Sequence, residues 1–223
     1  MLSQRKKEGH GIKRKPLIGY YNYTVVLTYV SIISAVFGIY FAAIAEIGNA
    51  VVCLMISGVC DTFDGRVASL KQRTERERSY GVQIDSMADL IGFGALPAAI
   101  LFAVSMERGA LTLPIVAIAA IYVLATLIRL SYFNTVEAEA QTKKEKRTYF
   151  QGLPTTSIAI LAPLAYLICN LTETSYFMVL SSILVLAAVF FVINIKIPKP
   201  SSRMQVILCL IGLPVIMFII FGR

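Results

Sequence analysis

The chain has 223 residues, 57% of them hydrophobic, and carries 21 Lys and Arg against 13 Asp and Glu for a formal net charge of +8. A mean hydropathy of +0.72 exceeds what a soluble domain needs for one buried core and identifies an integral membrane protein. The positive balance does not point to nucleic acid, because the basic residues stand in blocks between apolar runs, the pattern that membrane topology and anionic lipids impose.

Residues 1–16 contain Arg5, Lys6, Lys7, Lys13, Arg14 and Lys15 and end at Pro16, a basic cytoplasmic or interfacial tail. The apolar run that follows is too long for a signal-peptide core and has no clear A-x-A site, so it is expected to stay as an anchor. Tyr20, Tyr21 and Tyr23 stand where an aromatic belt belongs. Apolar runs of about 20 residues predict spans near 22–43, 47–68, 80–105, 111–133, 154–171, 176–195 and 204–221. The last follows the helix-stopping Ile197-Pro198-Lys199-Pro200, so it is expected as an appendage to a six-helix body. The expected fold is therefore an all-α, polytopic helical bundle, divided into a tail (1–21), a transmembrane body (22–197) and a linker with a further helix (198–223). No internal repeat is evident, and no helix is clearly broken near the midplane.

With the amino terminus in the cytoplasm, 19 of the 21 basic residues fall inside and only Arg108 and Arg223 outside. This asymmetry predicts the orientation. Within the connection between the second and third spans, Thr74-Glu75-Arg76-Glu77 fits a capping box, so the third span is expected to begin as a helix protruding into the cytosol. Cys53, Cys60, Cys169 and Cys209 lie in apolar stretches without metal-ligand spacing and read as small buried hydrophobes. The lone histidine, His10, sits in the basic tail, which leaves almost no material for histidine-based catalysis.

All four aspartates of the chain fall between positions 61 and 89. Asp61 and Asp64 are spaced i,i+3, Asp85 and Asp89 i,i+4, so each pair projects from one face if its segment is helical. A carboxylate at the bilayer centre costs roughly 2.5–3.5 kcal/mol, and four uncompensated ones on the order of 10 kcal/mol. No lysine or arginine occurs within 79–105, and Arg66 alone cannot balance four anions. A divalent cation can, and all-carboxylate sites select hard ions such as Mg²⁺, Mn²⁺ or Ca²⁺ over zinc. Hard cations beside basic residues suit phosphate chemistry, and the small residues Gly65, Ala68 and Gly81 would let a nucleotide approach the backbone. Taken singly, each aspartate could merely end a helix at the interface, with Gly65 and Gly81 serving helix packing. Four together, interleaved with small residues, argue against that.

Asp61, Asp64, Gly65, Ala68, Gly81, Asp85 and Asp89 match the signature of the CDP-alcohol phosphotransferase family, which this sequence resembles at those positions. Two departures stand out: Ser69 occupies the place of the family's usual arginine, and eleven residues rather than about eight separate it from Gly81. Arg66, Arg73 or another basic residue of the lengthened loop is left to meet the phosphates. Further stretches, Ile84 to Pro97, Arg129 to Asn134 and Phe150 to Pro154, resemble the bacterial, integral-membrane phosphatidylserine synthase branch.

The resemblance implies a reaction of CDP-diacylglycerol with L-serine to give phosphatidylserine and CMP. It implies that Asp61, Asp64 and Asp85 hold two divalent metals, Mg²⁺ or Mn²⁺, with Asp89 as a further metal contact and general base. Gly65, Ala68, Ser69, Arg73 and Gly81, with Asp61, would line the CDP-lipid. Arg66, Arg129 and Asn134 are candidates for the serine carboxylate or the phosphates, although Arg129 alone also reads as an arginine snorkelling to the interface. Membrane lipids and a homodimeric partner are further implications. Other readings stay open: a different acceptor such as glycerol 3-phosphate or an inositol compound, and, from other classes, a small ion-coupled transporter or a scaffold or anchor protein whose carboxylates are incidental.

Overall fold

The computed structural model describes residues 19–21, 23–69, 74–143, 149–198, 212 and 214–219. The helices are α1 (Tyr23–Ala43), α2 (Ile47–Ser69), α3 (Glu75–Asp89), α4 (Leu96–Glu107), α5 (Leu113–Lys143), α6 (Ile158–Thr172) and α7 (Tyr176–Val192). Among the described residues, five helical stretches are long and apolar enough to cross a membrane, and α7, with 17 residues, is a shorter apolar helix. The all-α, multi-pass architecture expected from the hydropathy pattern is therefore present. The basic tail, Cys209 and the larger part of the expected last span lie outside the described residues, which include 212 and 214–219 of that span.

Much of α1 presents apolar side chains outward, Val26, Val30, Ile33, Phe37 and Tyr40 among them. In water such a face would drive aggregation; against acyl chains it costs nothing. The inward faces use small residues, which let backbones approach. Ser31 Oγ of α1 donates to the Ser57 carbonyl of α2 at 3.4 Å while Ser57 Oγ donates back to the Ser31 carbonyl at 3.0 Å. Gly38 packs where a Cβ would stand 2.9 Å from Cys53 Cβ, and Gly58 where it would stand 2.5 Å from Ala159 Cβ. Cys53, Cys60 and Cys169 are buried and free, as small hydrophobes should be.

α3 starts where the capping box puts it. The Glu77 N–H donates to Thr74 Oγ1 at 3.2 Å, and the Thr74 N–H donates to the Glu77 carboxylate at 3.0 Å. Glu75 and Glu77 in the first turn also suit the positive end of the helix dipole.

The third span differs from an uninterrupted helix. Between α3 and α4, residues Leu90–Ala95 form a π-helical turn, with the Leu96 N–H donating to the Ile91 carbonyl five residues back. The cause is in the sequence: Pro97 has no N–H, and its ring crowds the carbonyl four residues earlier, that of Phe93. Tyr122 of α5, fully buried, donates its hydroxyl to that Phe93 carbonyl.

Two short strands, β1 (Tyr149–Gln151) and β2 (Lys196–Pro198), pair antiparallel and close the base of the α6–α7 hairpin. The Tyr20 ring packs at a tilt against Tyr80 in the first half of α3, centroids 5.2 Å apart, and Tyr29 Oη donates to the Tyr20 carbonyl at 2.8 Å. The chain entry, the start of α3, the end of α5 and the ribbon accordingly occupy the same end of the bundle. These are the segments that carry the basic blocks.

Candidate active site

The aspartate pairs meet at this end. Asp61 and Asp64 stand on the last turns of α2, and Asp85 and Asp89 on the last turns of α3, with Asp89 immediately before the π turn. Carboxylate oxygens of Asp61, Asp64 and Asp85 lie within 4.8 Å of one another. Asp89 lies one turn beyond Asp85 on α3 and interacts with Asp61, as Asp85 does with Asp64. Asp64 is buried, and Thr28 Oγ1 of α1 donates to its Oδ2 at 3.4 Å.

Like charges converging in a half-buried place repel unless a proton or a cation lies among them. The donor set is three carboxylates, hard oxygen ligands without nitrogen or sulfur, at a spacing one ion can bridge. Asp61, Asp64 and Asp85 therefore fit a hard divalent cation, with Asp89 at the edge.

The other candidates divide. Asn134, in the last third of α5, donates from Nδ2 to Ser86 Oγ at 2.6 Å, and Ser86 Oγ donates to the Val82 carbonyl at 3.0 Å. It thus touches α3 between the two aspartates. Arg129 is only 5% exposed, which excludes snorkelling to the interface. Its Nε donates to the Leu153 carbonyl at 3.2 Å and its Nη2 to the Gly152 carbonyl at 3.5 Å, while its guanidinium lies 5.6 Å from the Phe133 ring centroid. Gly152 turns there with φ +76°, and a Cβ would meet three backbone carbonyl oxygens at 3.1–3.2 Å, so glycine is required.

Gly81 sits half-buried on α3, one turn before Asp85. Gly65, Arg66, Ala68 and Ser69 continue α2 beyond Asp64, their side chains outside the described set, and Arg73 lies outside the described residues altogether. Three residues at the site or at the turn that follows it are not legible in the sequence: Thr28, Ser86 and Tyr122. Thr28 and Ser86 are ordinary small polar residues in apolar helices. Tyr122 had one available signal, Pro97 in mid-span with an orphaned carbonyl four residues earlier.

A family model described as CDP-alcohol phosphatidyltransferase matches residues 21–221. A protein of Saccharomyces cerevisiae named CDP-diacylglycerol–serine O-phosphatidyltransferase is 39% identical over 116 residues, covering 50% of this chain and 40% of that protein. One of Helicobacter pylori with the same name is 30% identical over 188 residues, covering 82% of this chain and 75% of that protein. An archaetidylserine synthase of Methanothermobacter thermautotrophicus is 27% identical over 144 residues, covering 63% of this chain and 57% of that protein. The yeast match thus spans well under half of its relative, whereas the Helicobacter match spans three quarters. With the four aspartates gathered on two helix ends and the family model matching nearly the whole chain, this protein belongs to the CDP-alcohol phosphatidyltransferase family.

Proposed function

We propose that this protein transfers the phosphatidyl group of CDP-diacylglycerol to the hydroxyl of L-serine, giving phosphatidylserine and CMP. The observation that carries the reading is the convergence of Asp61, Asp64 and Asp85, with Asp89 beside them, in a family whose named relatives act on serine. Asp61, Asp64 and Asp85 would hold divalent metal, Mg²⁺ or Mn²⁺ in two ions, with Asp89 as a further contact to it. Bound there, the metal would supply charge for the pyrophosphate oxygens and the leaving group.

The rest is the work of the chain itself. Asp89 takes the proton of the serine hydroxyl, because it is the carboxylate at the edge of the triad rather than within it. The serine oxygen bonds to the phosphorus that carries diacylglycerol, the P–O bond to CMP breaks, and CMP departs with that electron pair. Gly65, Ala68, Ser69 and Gly81 leave room for the nucleotide beside Asp61, and Arg66 and Arg73 bring positive charge to the phosphates. Asn134, fixed to Ser86, orients the acceptor.

The amino terminus and the site face the cytoplasm, where water-soluble serine meets the lipid nucleotide. The distribution of Lys and Arg supports that orientation. The test supplies purified protein with CDP-diacylglycerol, Mg²⁺ or Mn²⁺, and serine, glycerol 3-phosphate or inositol in separate reactions, following CMP. CMP release dependent on serine is expected. Release with another acceptor but not serine would move the assignment within the family, and no release with any would defeat it.

A further inference from the structure

α5 fastens the third span on both sides of Asp89. Before it, Asn134 Nδ2 donates to Ser86 Oγ, three residues upstream; after it, the Tyr122 hydroxyl donates to the Phe93 carbonyl, four residues downstream. The second bond is chemically required. The α-helical donor for the Phe93 carbonyl would be the N–H of residue 97, and residue 97 is proline. A buried carbonyl with no donor costs free energy comparable to a lost hydrogen bond, and Tyr122, with no exposed surface, supplies one from another helix.

The surroundings keep the phenol in place. Thr126, one turn on along α5, donates to the Tyr122 carbonyl at 2.9 Å, and its Cγ2 stands 3.4 Å from where a Gly94 Cβ would be. The Tyr122 ring packs, tilted by 42°, against Phe191 of α7 with centroids 5.8 Å apart. Gly92 packs toward Ser57 and Ala35, so the π turn is pressed between α1, α2 and α5. The hydroxyl is the one polar group that this packing aims at the turn's backbone among the described contacts.

We infer that Tyr122 is a positioning residue for Asp89: its hydroxyl, bound to the Phe93 carbonyl, fixes the π turn that follows Asp89 and so sets the direction of that carboxylate toward the Asp61–Asp64–Asp85 triad. Tyr122 touches neither substrate nor metal and acts only through the backbone. The inference rests on the role given to the aspartates under the proposed function.

The decisive comparison is with Tyr176, whose hydroxyl also donates to a buried backbone carbonyl, that of Ala162 at 3.3 Å, but in the α6–α7 pair. Tyr122→Phe and Tyr176→Phe each remove one hydroxyl and leave the ring. Tyr122→Phe is expected to lower kcat about ten- to a hundredfold, in the range for losing a group that orients a ligand. KM for CDP-diacylglycerol should stay within about twofold, since what moves is the base and not the lipid site. Tyr176→Phe is expected to retain kcat. Equal kcat in the two variants, per folded protein, overturns the inference.

A readout independent of turnover uses bound Mn²⁺. Its electron paramagnetic resonance spectrum should change in Tyr122→Phe and not in Tyr176→Phe; no change in Tyr122→Phe overturns the inference even if the wild type proves to use another acceptor. Pro97→Ala adds a third arm by giving the Phe93 carbonyl a donor in its own helix. In that background Tyr122→Phe should have no further effect, and an independent, multiplicative loss overturns the inference. Should Tyr122→Phe alone not accumulate, this pair of variants decides.

Discussion

Asn134 donates to Ser86 at 2.6 Å, joining α5 to the helix that carries Asp85 and Asp89. Because Ser86 Oγ passes its own hydrogen to the Val82 carbonyl, the contact is a directed chain from α5 into the α3 backbone. Asn134→Ala should therefore lower kcat/KM about tenfold or more while costing only about 1 kcal/mol of stability. CMP release and thermal unfolding in the same detergent separate the two, and loss of both in proportion would assign Asn134 to stability alone.

Asp89 and Asp61 should fail differently. Asp89→Asn is expected to abolish turnover while retaining CDP-lipid binding, because the amide keeps the shape and loses the proton acceptor. Asp61→Asn removes a carboxylate from the triad and should weaken metal binding first. Calorimetric titration with Mn²⁺ distinguishes them, and normal turnover in either variant refutes its role.

Chelation should stop the reaction outright. Treatment with EDTA is expected to abolish CMP release, and excess Mg²⁺ or Mn²⁺ to restore it, as an oxygen-only donor set requires. Restoration by zinc alone would contradict the hard-cation assignment.

Arg129 makes a forked contact with two consecutive carbonyls, those of Gly152 and Leu153. A lysine cannot reproduce that fork. Arg129→Lys should destabilise the protein by about 1–3 kcal/mol through the carbonyls left without donors. Limited proteolysis near residues 149–154 should quicken accordingly; an unchanged cleavage rate and midpoint would leave Arg129 free for a role at the substrate.

Gly58→Ala tests the packing that brings α2 to its place. The added methyl would meet Ala159 Cβ at 2.5 Å, a contact the backbone must move to relieve. Overpacking of this kind costs about 1–3 kcal/mol, and a lowered unfolding temperature is the expected result.

The site was readable in the sequence to the extent that charge is conspicuous in an apolar chain. Four aspartates within 29 residues cannot be hidden by periodicity, and their i,i+3 and i,i+4 spacings already implied two helix faces. Thr74 and Glu77 were equally plain, because a capping box is local chemistry between residues three apart. What lay beyond reach was whatever depends on two distant segments meeting. Asn134 was singled out, yet its partner Ser86 is 48 residues away and resembles any other serine in an apolar helix. Arg129 drew attention as a charge in a span, but its carbonyl partners exist only because Gly152 turns with positive φ. At the π turn Pro97 was in view, whereas the Tyr122 hydroxyl that meets the Phe93 carbonyl comes from α5.

An α-helix advances about 100° per residue, and a π turn fits one more residue into its winding. The stretch from Glu75 to Glu107 therefore carries two angular phases, one for Asp85 and Asp89 and another for Leu96, Ile100 and Leu101, which are buried in the core. Deleting one residue from Leu90–Ala95 would bring the two into a single phase. Either the carboxylates would swing away from α2 or the core leucines would turn outward, though composition, hydropathy and span length would scarcely change.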